Sequence, residues 1–235
     1  MKKSIFVALL AVTVNGCAAF RPLVLAQDKW SGVCNLRLVV ITENGQSRWS
    51  DWSIQTRTEW LEPSFRKMNL RFNLLPIEWL EKPEWINVRE EVEFRQMSTA
   101  SRVRAKTRME LTVWLVDHIT KDGFAQGGLA YMPSNILRDY QHGIVISPVS
   151  PAISLVHEIG HYFNLIHTWL DPFMDTPSNG KDDCESDPCN AMGYCGNRWQ
   201  VGDCLGHTFS NQQIGEMRAW TQCPPRNEVV TILHY

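Results

Sequence analysis

Residues 157–167 read His157-Glu158-Ile159-Gly160-His161-Tyr162-Phe163-Asn164-Leu165-Ile166-His167, placing three imidazoles and one carboxylate within a few turns of chain. On a helix, side chains four residues apart share a face at about 5–6 Å between Cβ atoms. His157 and His161 can then meet one zinc ion at about 2.0–2.1 Å. Glu158 stands beside the first ligand and would face the open coordination position. His167 adds a backbone condition: an unbroken helix would carry it about 120° round the axis from His161, so the helix must stop and the chain fold back. Asn164 sits where that reversal is needed, and Asn is the non-glycine residue that best tolerates the left-handed conformation. Three neutral imidazoles leave a divalent ion one open position for water, whose pKa zinc lowers toward about 7. A neighbouring carboxylate can take the proton during attack on a carbonyl. The expected cofactor is one catalytic zinc ion.

The run resembles the long zinc signature of the metzincins, His-Glu-x-x-His-x-x-Gly-x-x-His, with Asn164 in the place of its Gly. Three later stretches resemble the pappalysin branch, which includes the cytophagalysins. Thr168-Trp169 after His167, followed by Asp175-Thr176-Pro177, matches its His-Thr-Trp and Asp-Thr-Pro elements. Asn190-Ala191-Met192-Gly193-Tyr194 resembles its Met-turn, with Gly193 where an acidic residue is often found. Phe209-Ser210-Asn211-Gln212-Gln213 with Met217 resembles the opening of its last helix.

This resemblance spans residues 143–220. It implies an α/β (α+β) fold with a twisted mixed sheet and active-site helix in an upper lobe, about residues 30–164. A smaller, irregular, disulfide-linked lower lobe with a C-terminal helix would follow over about 165–235. The implied activity is zinc-dependent hydrolysis of peptide bonds inside protein or peptide substrates. In it His157, His161 and His167 hold zinc, Glu158 is the base, Tyr194 donates to the developing oxyanion, and Met192 forms an apolar floor beneath the imidazoles. The alternative is a catalytically inactive surface binding lipoprotein that contains zinc, and a gluzincin-type site with Glu185 as third ligand is made unnecessary by His167.

Two further regions bear on the site. Gly127-Gly128-Leu129-Ala130-Tyr131-Met132-Pro133 resembles the edge strand bordering the metzincin cleft, and Gly128, Leu129, Ala130 and Tyr131 would present backbone groups to an extended substrate. Asp171, Asp175, Asp182, Asp183, Glu185 and Asp187 crowd the segment after His167, a density of carboxylates that suits calcium. Pappalysins are known for calcium there; Asp171, Asp175, Thr176 and Asp182 are the candidate ligands, and a solvated acidic loop is the alternative.

Residues 33–41 are rich in β-branched types and predict an opening strand; Asn44-Gly45 predicts a turn. Trp52, Trp60, Leu61, Phe65 and Met68 recur at helical intervals over 50–68, where Pro63 predicts a kink or two abutting helices. Residues 69–77 alternate as a second strand. Residues 82–108 read as a solvated helix or excursion. Residues 110–119 form the strongest strand, with His118 inside it in a structural role, and 143–147 a short one. Ser150-Pro151 predicts the N-cap and first residue of the active-site helix. Ser210 with Gln213 predicts a capping box opening the last helix, whose Ile214, Met217 and Trp220 would face inward.

At 235 residues the chain suits one continuous unit, expected to be monomeric, and its ten tryptophans are expected mostly in the core. A net charge of -2 gives no electrostatic reason to expect nucleic acid. Met1-Lys2-Lys3 and the apolar run over 5–14 read as a signal peptide. It would end after Ala26, leaving residues 27–235 as the catalytic domain, or before Cys17, where Val14-Asn15-Gly16-Cys17 resembles a bacterial lipobox that would tether the protein to a membrane. Export to the exterior or cell surface is expected either way. Of the seven cysteines, the six other than Cys17 are Cys34, Cys184, Cys189, Cys195, Cys204 and Cys223, an even number that allows up to three disulfides.

Overall fold

The computed structural model describes residues 31–89, 92–105, 107, 109–121, 123–130, 142–165, 167, 190–192 and 209–222. In chain order the elements are β1 (Gly32–Thr42), α1 (Asp51–Thr58), α2 (Leu61–Phe65), β2 (Leu70–Leu74), β3 (Glu78–Glu81), β4 (Asn87–Arg89) and α3 (Glu93–Arg104). Then come β5 (Glu110–Leu115), β6 (His118–Lys121), β7 (Phe124–Ala125), β8 (Gly128–Ala130), β9 (Ile144–Ile146), α4 (Ser154–Tyr162) and α5 (Asn211–Gln222).

The main sheet runs β2-β1-β5-β9-β8, with β3 also on β1 beyond β2. Every pairing in it is parallel except β8 on β9. Strand β1 is hydrogen-bonded along both edges, and from Leu38 to Thr42 every residue is buried. Leu36, Leu38 and Val40 join Val113, Leu115, Ile144 and Ile146 in a core covered by α2, α4 and α5. Val39 and Ile41 point the other way and meet Trp114, Val145, Trp85 and residues of α3. That is the period-two alternation of a pleated strand, with both faces apolar as a covered parallel sheet requires. The small second sheet, β4-β6-β7, flanks the main one.

Several expectations hold in the local structure. Asn44 and Gly45 both have positive φ, 53° and 71°, between the bridged residues Glu43 and Gln46, as a type I′ turn demands. Two abutting helices replace one over 50–68. Pro63 is the third residue of α2, inside the first turn, where its missing N–H leaves no bond unmade.

Others are corrected. Trp52 is 75% exposed: Ser50 caps α1, the buried stripe is Ile54 and Arg57, and Trp52 lies two residues, about 200°, from Ile54. The tryptophans divide, with Trp49, Trp85 and Trp114 buried but Trp52 and Trp79 outside. Residues 82–108 are more than a solvated excursion, because α3 buries Phe94, Met97, Ser98 and Ser101 against the sheet. The strand expected over 110–119 stops at Leu115; Asp117 and His118 both donate backbone N–H groups to the Ile86 carbonyl, at 3.0 and 3.2 Å, and turn the chain into the second sheet. His118 is exposed beside Arg48. Helix α4 begins at Ser154, three residues after Pro151, with no side-chain cap on Ile153; Ser150 is buried and its hydroxyl donates to the Ser147 carbonyl instead. Cys34 is a free thiol, 0% exposed in the core, so it stands apart from the disulfides expected among the six cysteines. The remaining cysteines, including Cys17, and the N-terminal segment expected to direct export lie outside the described residues.

Candidate metal centre

Helix α4 brings His157 and His161 to one face, and the way it ends brings in His167. The Asn164 N–H donates to the His161 carbonyl at 2.9 Å and the Leu165 N–H to the Gly160 carbonyl at 3.0 Å, while Asn164 adopts φ 77°. This is a Schellman termination with Asn as the left-handed residue. Leu165 is 0% exposed, so the reversal is seated in the core.

His167 Nε2 lies 3.2 Å from His157 Nε2 and 3.1 Å from His161 Nε2. Among the described residues these three form a group whose ligand atoms all lie within 4.8 Å of one another. A tetrahedral ion with bonds of 2.0–2.1 Å needs donor atoms about 3.3 Å apart, which is close to the spacing seen. The opposite ring nitrogens identify the tautomer. His157 Nδ1 donates to the Ala191 carbonyl and His161 Nδ1 to the Leu165 carbonyl, each at 2.7 Å. A carbonyl only accepts, so the hydrogens sit on Nδ1 and the Nε2 atoms of these two rings turn lone pairs toward the common point. Facing lone pairs repel unless a cation lies between them. The donor set fits zinc.

Electrostatics point the same way. Burial, then the adjacent His161 and His167 rings, holds His157 well below the ordinary histidine range. Burial lowers His161, and burial with the His161 ring pushes His167 down to about 4. All three rings are neutral at physiological pH, the form that binds metal. Burial alone pushes the Glu158 carboxyl up to about 8, and a divalent cation beside it would draw that value back down.

Two glycines let backbone approach this centre. A Cβ on Gly128 would lie 2.7 Å from Glu158 Cγ and 2.8 Å from its Oε1. Strand β8 therefore passes the carboxylate at Gly128, while Leu129 packs against the opposite core and Ala130 against the core on the α4 side. A Cβ on Gly160 would lie 2.4 Å from Met192 Sδ, so Met192, 0% exposed, is seated against α4 between the two helical histidines. The Ala191 and Leu165 carbonyls escape sequence reasoning because any residue type carries a carbonyl. Gly160 was likewise missed, although a glycine inside the histidine run is a signal that could have found it. Tyr131, Tyr194, the calcium candidates Asp171, Asp175, Thr176 and Asp182, and Cys17 lie outside the described residues.

By sequence, no protein-family model and no curated protein matches the chain. By structure, it is similar to mature mirolysin of Tannerella forsythia in complex with a cleaved peptide: 19% identity, TM-score 0.55, 80% of this chain and 92% of that one. A promirolysin mutant from the same organism gives 19% identity and a TM-score of 0.55 over 85% of this chain and 84% of that one. Archaemetzincin from Methanopyrus kandleri is a looser match, with 16% identity and a TM-score of 0.47 over 80% and 94% of the chains. At such identities the likeness is one of architecture alone: the mixed α/β fold with a twisted mixed sheet and few helices is shared with mirolysin.

Proposed function

We propose that the protein is a zinc-dependent endopeptidase acting on proteins or peptides. The observation that carries this reading is the convergence of three histidine Nε2 atoms, two of them set by Nδ1–carbonyl hydrogen bonds, beside a buried glutamate under an edge strand. Bound zinc would be held by His157, His161 and His167 and would supply Lewis-acid polarisation and a more acidic water. Glu158 takes the proton of the attacking water and returns it to the departing amine. Among the described residues strand β8 ends the sheet order, so its outer backbone groups can pair with an extended peptide and align the scissile bond over Glu158. The cleaved peptide in the mirolysin complex supports a peptide substrate. A purely structural zinc site closes all four positions with protein ligands and has no use for a buried base, which argues against the inactive binding protein.

The segments at 168–177 and 208–217 support placement in the pappalysin branch. Within that reading Tyr194 donates to the oxyanion, Met192 floors the site, and Asp171, Asp175, Thr176 and Asp182 take structural calcium. The N-terminal segment supports export, either freely secreted or tethered through Cys17. The test is cleavage of casein and of a peptide library with and without a zinc chelator. Cleavage that the chelator abolishes and added zinc restores supports the reading. Cleavage indifferent to the chelator, or none by zinc-loaded protein, overturns it.

A further inference from the structure

Outside the metal centre, one buried polar arrangement leads back to it. Asn190 and Gln213 are 1% and 0% exposed and meet amide to amide. Asn190 Nδ2 donates to Gln213 Oε1 at 3.0 Å, and Gln213 Nε2 donates to Asn190 Oδ1 at 3.2 Å. Each amide is also tied to backbone. Asn190 Oδ1 accepts the Met192 N–H at 2.9 Å, and Gln213 Oε1 accepts the Ser210 N–H at 2.8 Å. Ser210 Oγ in turn accepts the Gln213 N–H at 3.2 Å, closing the capping box of α5.

The residue between the two anchored points, Ala191, is the one whose carbonyl accepts His157 Nδ1 at 2.7 Å. Asn190 Oδ1 thus holds, through the Met192 N–H, the same peptide unit that carries the Ala191 carbonyl, and Gln213 fixes Asn190 from a helix that is itself packed into the core through Ile214 and Met217. A buried amide left without its partner costs about 1–3 kcal/mol, so both must be satisfied together or the turn must move. Any movement displaces the acceptor that holds the His157 ring and its tautomer.

We propose that the Asn190–Gln213 amide pair is a positioning device for the metal centre: it locks the Ala191 carbonyl to α5 and thereby sets the affinity of the three-histidine site for zinc. The inference rests on the zinc reading above. Outer partners of ligating histidines are worth roughly 10–100-fold in metal affinity, and this pair is expected to act within that range through the carbonyl it holds.

The experiment measures zinc affinity by competition with a chromophoric chelator, on the full chain and on Gln213→Met, with Asn190→Ser as the milder variant. Melting of the metal-free proteins is recorded alongside, and Trp114→Ala, on the opposite face of the sheet, serves as the control for instability. A zinc affinity reduced about 10–100-fold in either amide variant, with affinity unchanged in Trp114→Ala, supports the proposal. Amide variants that melt lower yet bind zinc as tightly as the parent overturn it and leave the pair a purely structural one. A parent chain that binds no zinc overturns the functional reading itself.

Discussion

Strand β1 sends Leu36, Leu38 and Val40 to one side and Val39 and Ile41 to the other, and the two sides are built differently. On the back, α3 and the second sheet close over Trp85 and Trp114, whose rings meet edge to face at 5.3 Å. The polar atoms there have local duties, as when Trp114 Nε1 donates to Ser101 Oγ at 2.8 Å. On the front, the same strands support α4, and the core next to them holds His157, Glu158, His161, Asn190 and Gln213, all under 9% exposed. Burying that many polar groups costs free energy unless each is paired. The front therefore holds its chemistry inside the larger of the two apolar clusters, while the back is built from apolar packing with polar contacts of local reach. Substitutions on the two sides should separate activity from stability.

Glu158→Gln should give the largest effect, a loss of roughly 10²–10⁴-fold in peptide hydrolysis with zinc binding and melting little changed; near-parental turnover would end its assignment as the base. On the back, Trp114→Ala should cost about 3–5 kcal/mol in chemical denaturation and leave zinc affinity as it was. If it weakened zinc binding as well, the division between the faces would fail. Gly128→Ala returns to the front, where the added methyl collides with the Glu158 side chain. Displacing a catalytic group by about an ångström can cost on the order of 10²-fold, so a fall in kcat up to that size is expected, with zinc content unchanged.

Cys34 tests the front core by pH. Its thiol is pushed up to about 12 by burial, while an unfolded chain ionises at about 8.5. The folded state keeps a proton that the unfolded state releases, so the stabilisation is complete below about 8.5 and is lost as pH rises toward about 12, at no more than about 1.4 kcal/mol per unit. Unfolding midpoints of the parent and Cys34→Ala measured across this range should converge as pH rises, and a thiol reagent at neutral pH should label Cys34 only in denaturant. Trp52→Ala should change stability least, within about 0.5 kcal/mol, because the ring is 75% exposed; a larger loss would show that it covers core.

Much of the site could be read early because metal ligation demands particular residue types at particular intervals. The histidine spacing and Asn164 at φ 77° are local properties of one short run, and the capping box of Ser210 and Gln213 is equally local. Trp52, the start of α4 and the state of Cys34 misled for the opposite reason. Whether an aromatic faces in, whether Ser150 caps a helix or bonds its own loop, and whether a cysteine finds a partner are decided by neighbours distant in the chain.

Local sequence thus determined the donor set, the reversal that returns the chain toward it, and the β-branched strands that make a covered sheet, because each follows from side-chain chemistry and backbone preference within a few residues. Only the tertiary structure decided that β8 passes Glu158 at a glycine, that Met192 settles against Gly160, and that the Ala191 carbonyl orients His157. Those contacts join segments about 30 residues apart in the chain, and van der Waals fit and carbonyl direction leave no mark on residue type except where a side chain must be absent.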